Sequence, residues 1–217
     1  MIKKRVAVLI SGRGSNMAAL IEAAQDAAFP AEIVLVLSNR PAAAGIDLAR
    51  SRAIATAVVD HEVYGQDREV FERKMQELLE AHRVELICLA GFMRLLTPWF
   101  VSRWQGRMIN IHPALLPAFK GLDTHQRALA AGVKIHGASV HFVVPDVDAG
   151  PIIAQGAVAV RDDDTAATLA DRVLAIEHRI YPAVLALLAA DRIKIVDGRC
   201  RIEGAADTAG HLIAPEI

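Results

Sequence analysis

The sequence predicts an α/β protein with a Rossmann-like, mostly parallel sheet flanked by helices and extended by antiparallel strands in its carboxyl-terminal half. The prediction rests on three features. Short runs rich in Val, Ile and Leu recur up to residue 112, helical stretches separate these runs, and the alternation stops near residue 138. Buried strands that alternate with helices form right-handed βαβ units, and such units build a parallel sheet.

The first half of the chain supplies the parallel elements. The predicted strands are 6–11, 33–38, 56–60, 85–90 and 107–112, and the predicted helices are 17–28, 43–52, 67–82 and 98–103. The second half differs. Strands at 139–144 and 152–160 flank a polar loop and indicate an antiparallel pair. A long helix follows the capping residues Asp164 and Thr165, and Pro182 is expected to kink or end it.

The chain closes with a predicted hairpin and a tail. Residues 193–202 enclose Asp197 and Gly198, a favourable hairpin turn. The segment 204–217 is rich in Ala and Gly and is expected to be loose. No repeat or low-complexity linker interrupts residues 1–203, so we expect one continuous domain.

Composition excludes several classes of partner. The chain has 217 residues, of which 53% are hydrophobic and 23% charged, and its net charge is −1. These values are typical of a folded soluble protein and give no electrostatic basis for nucleic acid or an anionic membrane as main partner. No apolar run is long enough to span a bilayer. The chain contains 2 cysteines, Cys88 and Cys200, and this usage fits a reducing cytoplasm.

Asn110 and His112 form the first candidate site. Alternate side chains of a strand share a face, so an amide and an imidazole project together from the end of a buried strand, which Pro113 terminates. Buried polar groups are costly unless satisfied, so we expect this pair to open onto a cleft. Asp148, in the later polar segment 146–151, supplies a carboxylate that can set the charge of the imidazole. The combination suits acyl transfer, whereas a lone histidine in a strand is more often structural.

The glycine turn 11–16 is the second candidate site. It follows a strand and precedes a helix, so its backbone N–H groups can hold a phosphate, with Ser15 and Asn16 as side-chain donors. A tight turn with a capping serine explains the same residues equally well. The dinucleotide fingerprint requires a third glycine where this sequence has Met17, which argues against a dinucleotide site. An NADP-binding module remains a weaker alternative, mainly because of Arg40.

The segment 89–96 is the third candidate site, because ligands bind at the carboxyl ends of strands in open α/β sheets. Gly91 allows close backbone approach, and the apolar side chains can line a pocket for a flat aromatic ligand, with ordinary core as the alternative. The chain has 8 histidines, but no pair shows ligand spacing with carboxylate or cysteine support. No metal is therefore predicted.

Several segments carry a resemblance to a known family. In chain order they are SGRGSN, LAGFMRLL, INIHPALLP, HGASVHFV and DVDAGPII. Jointly they resemble the folate-dependent formyltransferases of purine biosynthesis, from residue 6 to about residue 188. The resemblance implies a nucleotide-binding half, 1–112, and a half that completes the folate cleft, 113–203. It also implies that 10-formyltetrahydrofolate, as co-substrate, donates its formyl group to the primary amine of phosphoribosylglycinamide.

The resemblance assigns site residues by position. The catalytic residues are Asn110, His112 and Asp148. The substrate-binding residues are Gly14, Ser15 and Asn16 for the phosphate and Glu177 for the glycinamide amine. The folate-binding residues are Arg68, Met93, Arg94, Leu95, Leu96 and Asn110. An exposed helical ion pair is the alternative role for Arg68 and Glu177. Lys120 and Asp123 depart from the family's pattern in the loop 114–132.

The implied mechanism needs no protein nucleophile, because the amine of the substrate attacks the formyl carbon. A protonated His112 and the Asn110 amide can donate to the resulting oxyanion, and one such donor contributes ~3 kcal/mol. The neighbouring Asp148 favours the protonated imidazole. The proton route to the leaving nitrogen, through His112 or through a water held by Asp148, stays open.

Two other functions fit parts of the pattern. A formyltetrahydrofolate hydrolase can use the same residues with water as nucleophile. Two expectations argue against it: hydrolysis does not need a phosphate turn, and no regulatory domain is expected before the first strand. A non-catalytic nucleotide-binding or NADP-sensing module is the second. Formylation of a tRNA is not expected, since there is no basic patch. We expect a cytoplasmic monomer or homodimer that acts on small molecules.

Overall fold

The computed structural model describes residues 2–204 and residue 214. The strands are β1 (Lys4–Ile10), β2 (Ala31–Ser38), β3 (Thr56–Val58), β4 (Leu86–Leu89), β5 (Met108–His112), β6 (Ile135–Phe142), β7 (Ile152–Ala159), β8 (Ile193–Val196) and β9 (Arg199–Ile202). The α-helices are α1 (Ser15–Ala24), α2 (Ala44–Ser51), α3 (Arg68–Ala81), α4 (Pro98–Arg103), α5 (Thr124–Ala130) and α6 (Ala166–Ala189), and a 3₁₀ turn spans His61–Tyr64.

A seven-stranded sheet organises these elements in the order β3-β2-β1-β4-β5-β6-β7. The strands from β3 to β5 are parallel, whereas β6 is antiparallel to β5 and β7 is antiparallel to β6. This sheet confirms the predicted α/β class. The chain moves outward from β1 to β3 and then returns to the other side of β1, so the strand order reverses between β1 and β4. Ligand crevices open at such a reversal, at the carboxyl ends of the strands.

The two faces of the sheet bury alternate side chains of the same strands. In β1, Val6, Val8 and Ile10 pack in a cluster with residues of α1 and α6, whereas Ala7 and Leu9 pack with residues of α3 and α4. All five side chains are fully buried. Coverage on both faces explains why the strand is a continuous apolar run in the sequence.

Helix α6 begins as predicted but ends later. Thr165 caps it, and its hydroxyl accepts a backbone N–H of the first turn in a reciprocal capping box. The sequence predicts that Pro182 kinks or ends the helix. Pro182 lies inside α6, so it does not end the helix, and the kink stays a prediction. Proline removes only one backbone donor, and the buried side chains of Tyr181, Val184 and Leu185 keep this part of the helix packed on the sheet.

The remaining elements confirm or extend the predictions. Asp197 and Gly198 have φ angles of 50° and 72°, as a type I′ turn requires, and they join β8 to β9. Helix α5 lies in a segment for which no helix is predicted. The predicted loose tail, 204–217, lies outside the described residues except for 204 and 214.

The sheet is continuous across residue 112, because β5 pairs with β6. The division into a nucleotide-binding half, 1–112, and a folate-cleft half, 113–203, stays a prediction. Among the described helices, none combines the length and the apolar character that a bilayer crossing requires.

Candidate active site

Two cavities open at the carboxyl ends of the parallel strands. The larger cavity, about 370 Å³, takes its walls from α3, from β5 and β6, from the segment after β4, and from residues 143–148. The smaller cavity, about 260 Å³, lies at the turn 11–16, beside Arg40 and the end of β4. Phe92 lines the larger cavity, whereas Gly91 and Met93 line the smaller one. The segment 91–93 is therefore a wall between the two cavities.

Beside the larger cavity, the buried His112 lies next to Asp148, which is half-buried. Nδ1 of His112 lies 3.3 Å from Oδ2 of Asp148, and Nε2 of His112 lies 3.0 Å from the carbonyl oxygen of Phe119. Both ring nitrogens therefore face acceptor oxygens, and only a doubly protonated ring donates to both. The structure thus brings together the imidazole and the carboxylate that the sequence placed in separate motifs.

His141, on β6, joins this pair to Asn110, although the sequence did not assign it to the site. Its Nε2 lies 3.2 Å from Nδ2 of Asn110 and 3.7 Å from Oδ1 of Asp148. Its Nδ1 lies 2.9 Å from the carbonyl oxygen of Phe142, which fixes the orientation of the ring. Asn110 and His141 are opposite each other in the antiparallel β5–β6 pair. The polar alternation in HGASVHFV was a signal, but only the register of the sheet identifies the partner.

The environment of Asp148 favours its carboxylate form. Burial alone would raise the pKa of Asp148, but the His141 ring at 3.7 Å, the Gly121 N–H at 2.9 Å and the His112 ring at 3.3 Å hold that pKa below its usual value. Asp148 adopts a left-handed conformation with a φ of 49°, which is uncommon outside glycine. At Gly150 a Cβ would meet the Phe142 carbonyl oxygen at 1.8 Å, so only glycine fits there. Close packing on β6 thus fixes the loop that carries Asp148.

Ser139, fully buried in β6, ties down the segment that follows His112. Its hydroxyl donates to the Ala114 carbonyl oxygen at 2.7 Å and accepts from the Leu116 N–H at 3.0 Å and from Nε2 of Gln155 at 2.8 Å. These bonds satisfy backbone groups that the sheet does not pair. They also fix the direction in which the chain leaves β5.

His125 and His136 form a neighbouring pair of rings, whose centroids are 5.3 Å apart in an edge-to-face arrangement. Burial, together with the positive charge of nearby histidines, lowers the pKa of His136 to about 4 and also lowers the pKa of His125. Neutral rings here add no positive charge beside His112. Within residues 2–204, no group of three or more His, Cys, Asp or Glu side chains is arranged to hold a metal ion.

The predicted phosphate turn lines the smaller cavity through Gly14, Ser15 and Asn16. Gly14 is the residue before α1 and has a φ of 77°. The first N–H groups of a helix have no partner within the helix, and at α1 no side chain caps them. Ser15 is the first helical residue, so the alternative of a capping serine is wrong. Donors at this helix end therefore remain available to a ligand.

Asn16 connects the turn to Glu177 on α6. Its Nδ2 donates to Oε2 of Glu177 at 2.6 Å. Burial raises the pKa of Glu177, and the bond from Asn16 only partly opposes this effect. Glu177 is buried, so the alternative of an exposed ion pair is wrong for this residue. Oδ1 of Asn16 is also buried and has no hydrogen-bond partner within the part of the chain that the structure describes.

Ser11 is a further residue that the sequence did not assign to a site beyond its place in the turn. Its hydroxyl donates to Oδ1 of Asn39 at 2.5 Å and accepts from the Met93 N–H at 2.7 Å. Its own N–H donates to the Gly91 carbonyl oxygen at 3.2 Å. Ser11 and Asn39 are buried. One hydroxyl thus fixes the ends of β1 and β2 against the wall between the cavities.

The residues predicted to bind folate are divided between the cavities. Met93 lines the smaller cavity. The larger cavity is lined by Arg68, Arg94, Leu95, Leu96 and Asn110. Arg68 forms no ion pair with another described residue, so the structure gives no support to the ion-pair alternative for it.

Glu72, fully buried in α3, holds the segment that follows Met93. Its carboxylate accepts from the Thr97 backbone N–H at 2.6 Å and also from the Thr97 hydroxyl. Burial raises the pKa of Glu72 in spite of these bonds. Thr97 in turn caps α4. In the sequence Glu72 is one of several acidic residues of a predicted helix, and nothing there distinguishes it.

Comparison with known proteins identifies the family. A family model described as formyl transferase matches residues 4–185. The chain belongs to the formyl transferase family. The phosphoribosylglycinamide formyltransferase of Escherichia coli is 39% identical to this formyl transferase over 199 residues, which are 92% of this chain and 93% of the relative.

A longer relative and a solved structure are also similar to this formyl transferase. The trifunctional purine biosynthetic protein adenosine-3 of Bos taurus is 48% identical over 193 residues, or 89% of this chain, and the chain spans only 19% of that relative's length. The crystal structure of glycinamide ribonucleotide transformylase 1 from Symbiobacterium toebii has a TM-score of 0.89 at 41% identity, covering 93% of this chain and 94% of that one.

A protein with the rival activity shares the fold. The crystal structure of a formyltetrahydrofolate deformylase from Pseudomonas syringae has a TM-score of 0.85 at 27% identity, covering 93% of this chain and 66% of that one. Its sequence is less similar to this formyl transferase than are those of the three relatives above.

Proposed function

We propose that this formyl transferase moves the formyl group of 10-formyltetrahydrofolate to the primary amine of 5-phosphoribosylglycinamide in de novo purine biosynthesis. The products are formylglycinamide ribonucleotide and tetrahydrofolate. One observation carries the proposal: the cavity at the turn 11–16 and the cavity that contains Asn110, His141 and Asp148 share the wall 91–93. We propose a cytoplasmic monomer or homodimer whose partners are these small molecules alone.

The formyl donor is assigned to the larger cavity. Apolar side chains such as Leu89 and Val101 line it together with the guanidinium groups of Arg68 and Arg94. This combination suits a flat ring system that carries an anionic tail. Leu95, in the same wall, is 58% exposed, and a bound ring would cover it. The apolar side chains therefore suit the ring of a folate, and the two arginines suit its anionic tail.

The phosphorylated acceptor is assigned to the smaller cavity. Uncapped N–H groups at the start of α1 favour a phosphate there. Glu177, through its bond to Asn16, lies at the edge of this turn and can accept a hydrogen bond from the acceptor's amine. Oδ1 of Asn16, which has no hydrogen-bond partner among the described residues, can accept from an N–H or O–H of the same substrate.

The reaction exchanges one carbon–nitrogen bond for another. The amine nitrogen attacks the formyl carbon, and the carbonyl oxygen becomes an oxyanion. When this intermediate collapses, the bond between the formyl carbon and N10 breaks, and one proton passes from the attacking nitrogen to N10. Nδ2 of Asn110, in the wall of the larger cavity, can donate to the oxyanion. Loss of one such donor typically slows a reaction by about 10²–10³-fold.

His112 supplies positive charge next to the oxyanion. Its Nδ1 lies 3.3 Å from Oδ2 of Asp148, so the protonated ring and the carboxylate form an ion pair. Its Nε2 is directed at the Phe119 carbonyl oxygen. Donation from Nε2 to the oxyanion therefore requires that the Phe119 carbonyl give up this hydrogen bond. If Nε2 keeps its hydrogen bond to the Phe119 carbonyl oxygen, His112 stabilises the oxyanion only through its positive charge, and Asn110 is the direct hydrogen-bond donor.

The proposal is tested by following tetrahydrofolate release from 10-formyltetrahydrofolate with and without phosphoribosylglycinamide. Release that depends on the acceptor is the expected result. Release at the same rate without the acceptor would identify a hydrolase, in which water takes the place of the amine. If nothing is released, a thermal-shift assay with NADPH and with a folate would test the binding-module alternative.

A further inference from the structure

Arg13 and Arg40 bring two positive charges to the smaller cavity. Both residues line it and both are exposed, and the other lining residues are small, amide-bearing or apolar. Among the described lining residues there is no carboxylate, and Glu177 approaches the turn only through its bond to Asn16. Two arginines in such a lining are complementary to an anion that carries more than one negative charge.

Neither guanidinium group is used by the fold. Within residues 2–204, the side chains of Arg13 and Arg40 form no ion pair and no hydrogen bond. Other arginines of this chain do have such partners. Arg94, for example, donates to the Gly65 carbonyl oxygen at 3.3 Å and lies over the Phe71 ring. The two groups at the smaller cavity are therefore free to bind a ligand.

The backbone below both side chains is fixed, so the two charges start from defined positions. Arg13 lies between Gly12, whose carbonyl oxygen accepts from the Gly45 N–H at 3.0 Å, and Gly14. A Cβ at Gly14 would lie 3.2 Å from the Cα of Gly45, so the turn packs closely against α2. At Arg40, the backbone N–H donates to the Ser38 hydroxyl at 3.0 Å.

We propose that Arg13 and Arg40 clamp the phosphomonoester of the acceptor and make this formyl transferase select phosphorylated over unphosphorylated amines. The inference rests on the proposed function, which assigns the phosphate to the turn, and adds the residues that determine specificity. Guanidinium groups bind phosphate oxygens through paired, charge-assisted hydrogen bonds. The backbone donors of α1 position the phosphate, and the two side chains neutralise its second charge.

The test compares Arg13→Gln, Arg40→Gln and the double variant with wild type, using phosphoribosylglycinamide and its dephosphorylated riboside. Arg52→Gln, which removes an exposed arginine outside both cavities, is the matched control. Each single variant is expected to raise the KM for the phosphorylated acceptor about tenfold, or about 1.4 kcal/mol. The kcat, the KM for the folate and all parameters of the control are expected to change less than twofold.

Selectivity is the decisive readout, because a merely structural role of the arginines would not affect it. The preference of wild type for the phosphorylated acceptor should fall at least tenfold in the double variant, and inorganic phosphate should lose its competition with the acceptor. The proposal is overturned if the double variant keeps the wild-type preference, or if both acceptors lose kcat/KM equally.

Direct binding separates this proposal from the proposed function. Titration with ribose 5-phosphate, with ribose as reference, requires no turnover. If wild type binds ribose 5-phosphate and the double variant does not, the clamp stands even if formyl transfer is not observed. If wild type transfers the formyl group but the double variant binds ribose 5-phosphate equally well, the function stands and the clamp is wrong.

Discussion

The two cavities of this formyl transferase are built in different ways. The smaller cavity takes most of its wall from one contiguous turn, 11–16, with Arg40 and the end of β4 added. The larger cavity gathers side chains from segments as distant in the chain as Arg68 and Asp148. A local turn can bind a phosphate with backbone groups, whereas a catalytic group needs side chains that only the assembled sheet brings together.

The pKa values of two carboxylates, the half-buried Asp148 at the larger cavity and the buried Glu177 near the smaller one, show the same difference. Asp148 lies within reach of His112, His141 and the Gly121 N–H, and these groups lower its pKa despite burial. Among the residues that the structure describes, Glu177 has the Asn16 amide as its one such partner, and burial raises the pKa of Glu177. The number of charged and N–H partners therefore decides the direction in which the pKa of each carboxylate shifts.

The largest effect is expected from Asp148→Asn, which removes the charge of the catalytic cluster. The variant should lower kcat by about 10²–10³-fold and leave the KM for the acceptor within threefold, because the smaller cavity does not include this residue. Steady-state kinetics with both substrates measure the change. Asp163→Asn, at an exposed aspartate, is the control. A turnover within a few-fold of wild type would contradict the role assigned to the cluster.

Ser11→Ala tests the wall that the two cavities share. The variant removes the hydroxyl that donates to Oδ1 of the fully buried Asn39 and accepts from the Met93 N–H. A buried polar group left without its partner costs about 1–3 kcal/mol. The KM values for acceptor and folate should both rise, since the segment 91–93 borders both cavities. Ser51→Ala, which removes an exposed hydroxyl bonded to the Leu48 carbonyl oxygen, is the control. A rise confined to one substrate would show that the wall is not shared.

Gly14→Ala tests the smaller cavity alone. A residue with a side chain in this left-handed conformation costs about 1–2 kcal/mol, and the added Cβ would lie 3.0 Å from Cε of Met17. A loss of about 1–2 kcal/mol should lower Tm by about 2–8 °C, and the KM for the acceptor should rise. Gly12→Ala has open space around its Cβ and should leave Tm unchanged. Equal losses in the two variants would refute the conformational explanation.

The smallest effect is expected from Glu177→Gln, and it depends on pH. Burial raises the pKa of Glu177 in the folded state, so its contribution to stability is present below the unfolded pKa and is lost as pH rises through the folded pKa. Glutamine keeps an acceptor for Asn16 but carries no charge. The Tm of the variant should exceed that of wild type by about 2–4 °C at pH 8, and the two should converge near pH 4. A lower Tm at pH 8 would contradict this sign.

The sequence predicted the parts of the molecule that depend on local chemistry. The Thr165 cap, the Asp197-Gly198 turn and the strand–turn–helix unit around Gly14 each need only a few neighbouring residues, and the structure contains all three. The outcome at Pro182 could not be predicted in this way, because the packing of distant strands outweighs the local cost of proline within a helix.

The residues that the sequence missed have partners far along the chain. Asn110 and His141 are 31 positions apart, and Ser11 and Met93 are 82 positions apart. A buried serine, histidine or glutamate has no local pattern that distinguishes it from an exposed one. Its importance depends on the register of β5 with β6 and on the placement of α3, neither of which hydrophobic periodicity specifies.

The shared wall at 91–93 also affects how variants of this protein must be interpreted. Met93 faces one cavity and Phe92 the other, so a change of volume at either position displaces atoms toward both substrates. Kinetic defects there will divide between acceptor and donor, and neither KM alone will describe them. A compound that pushes this wall from one side would change the shape of the opposite cavity, which makes the wall a route to inhibitors that compete with one substrate while weakening the other.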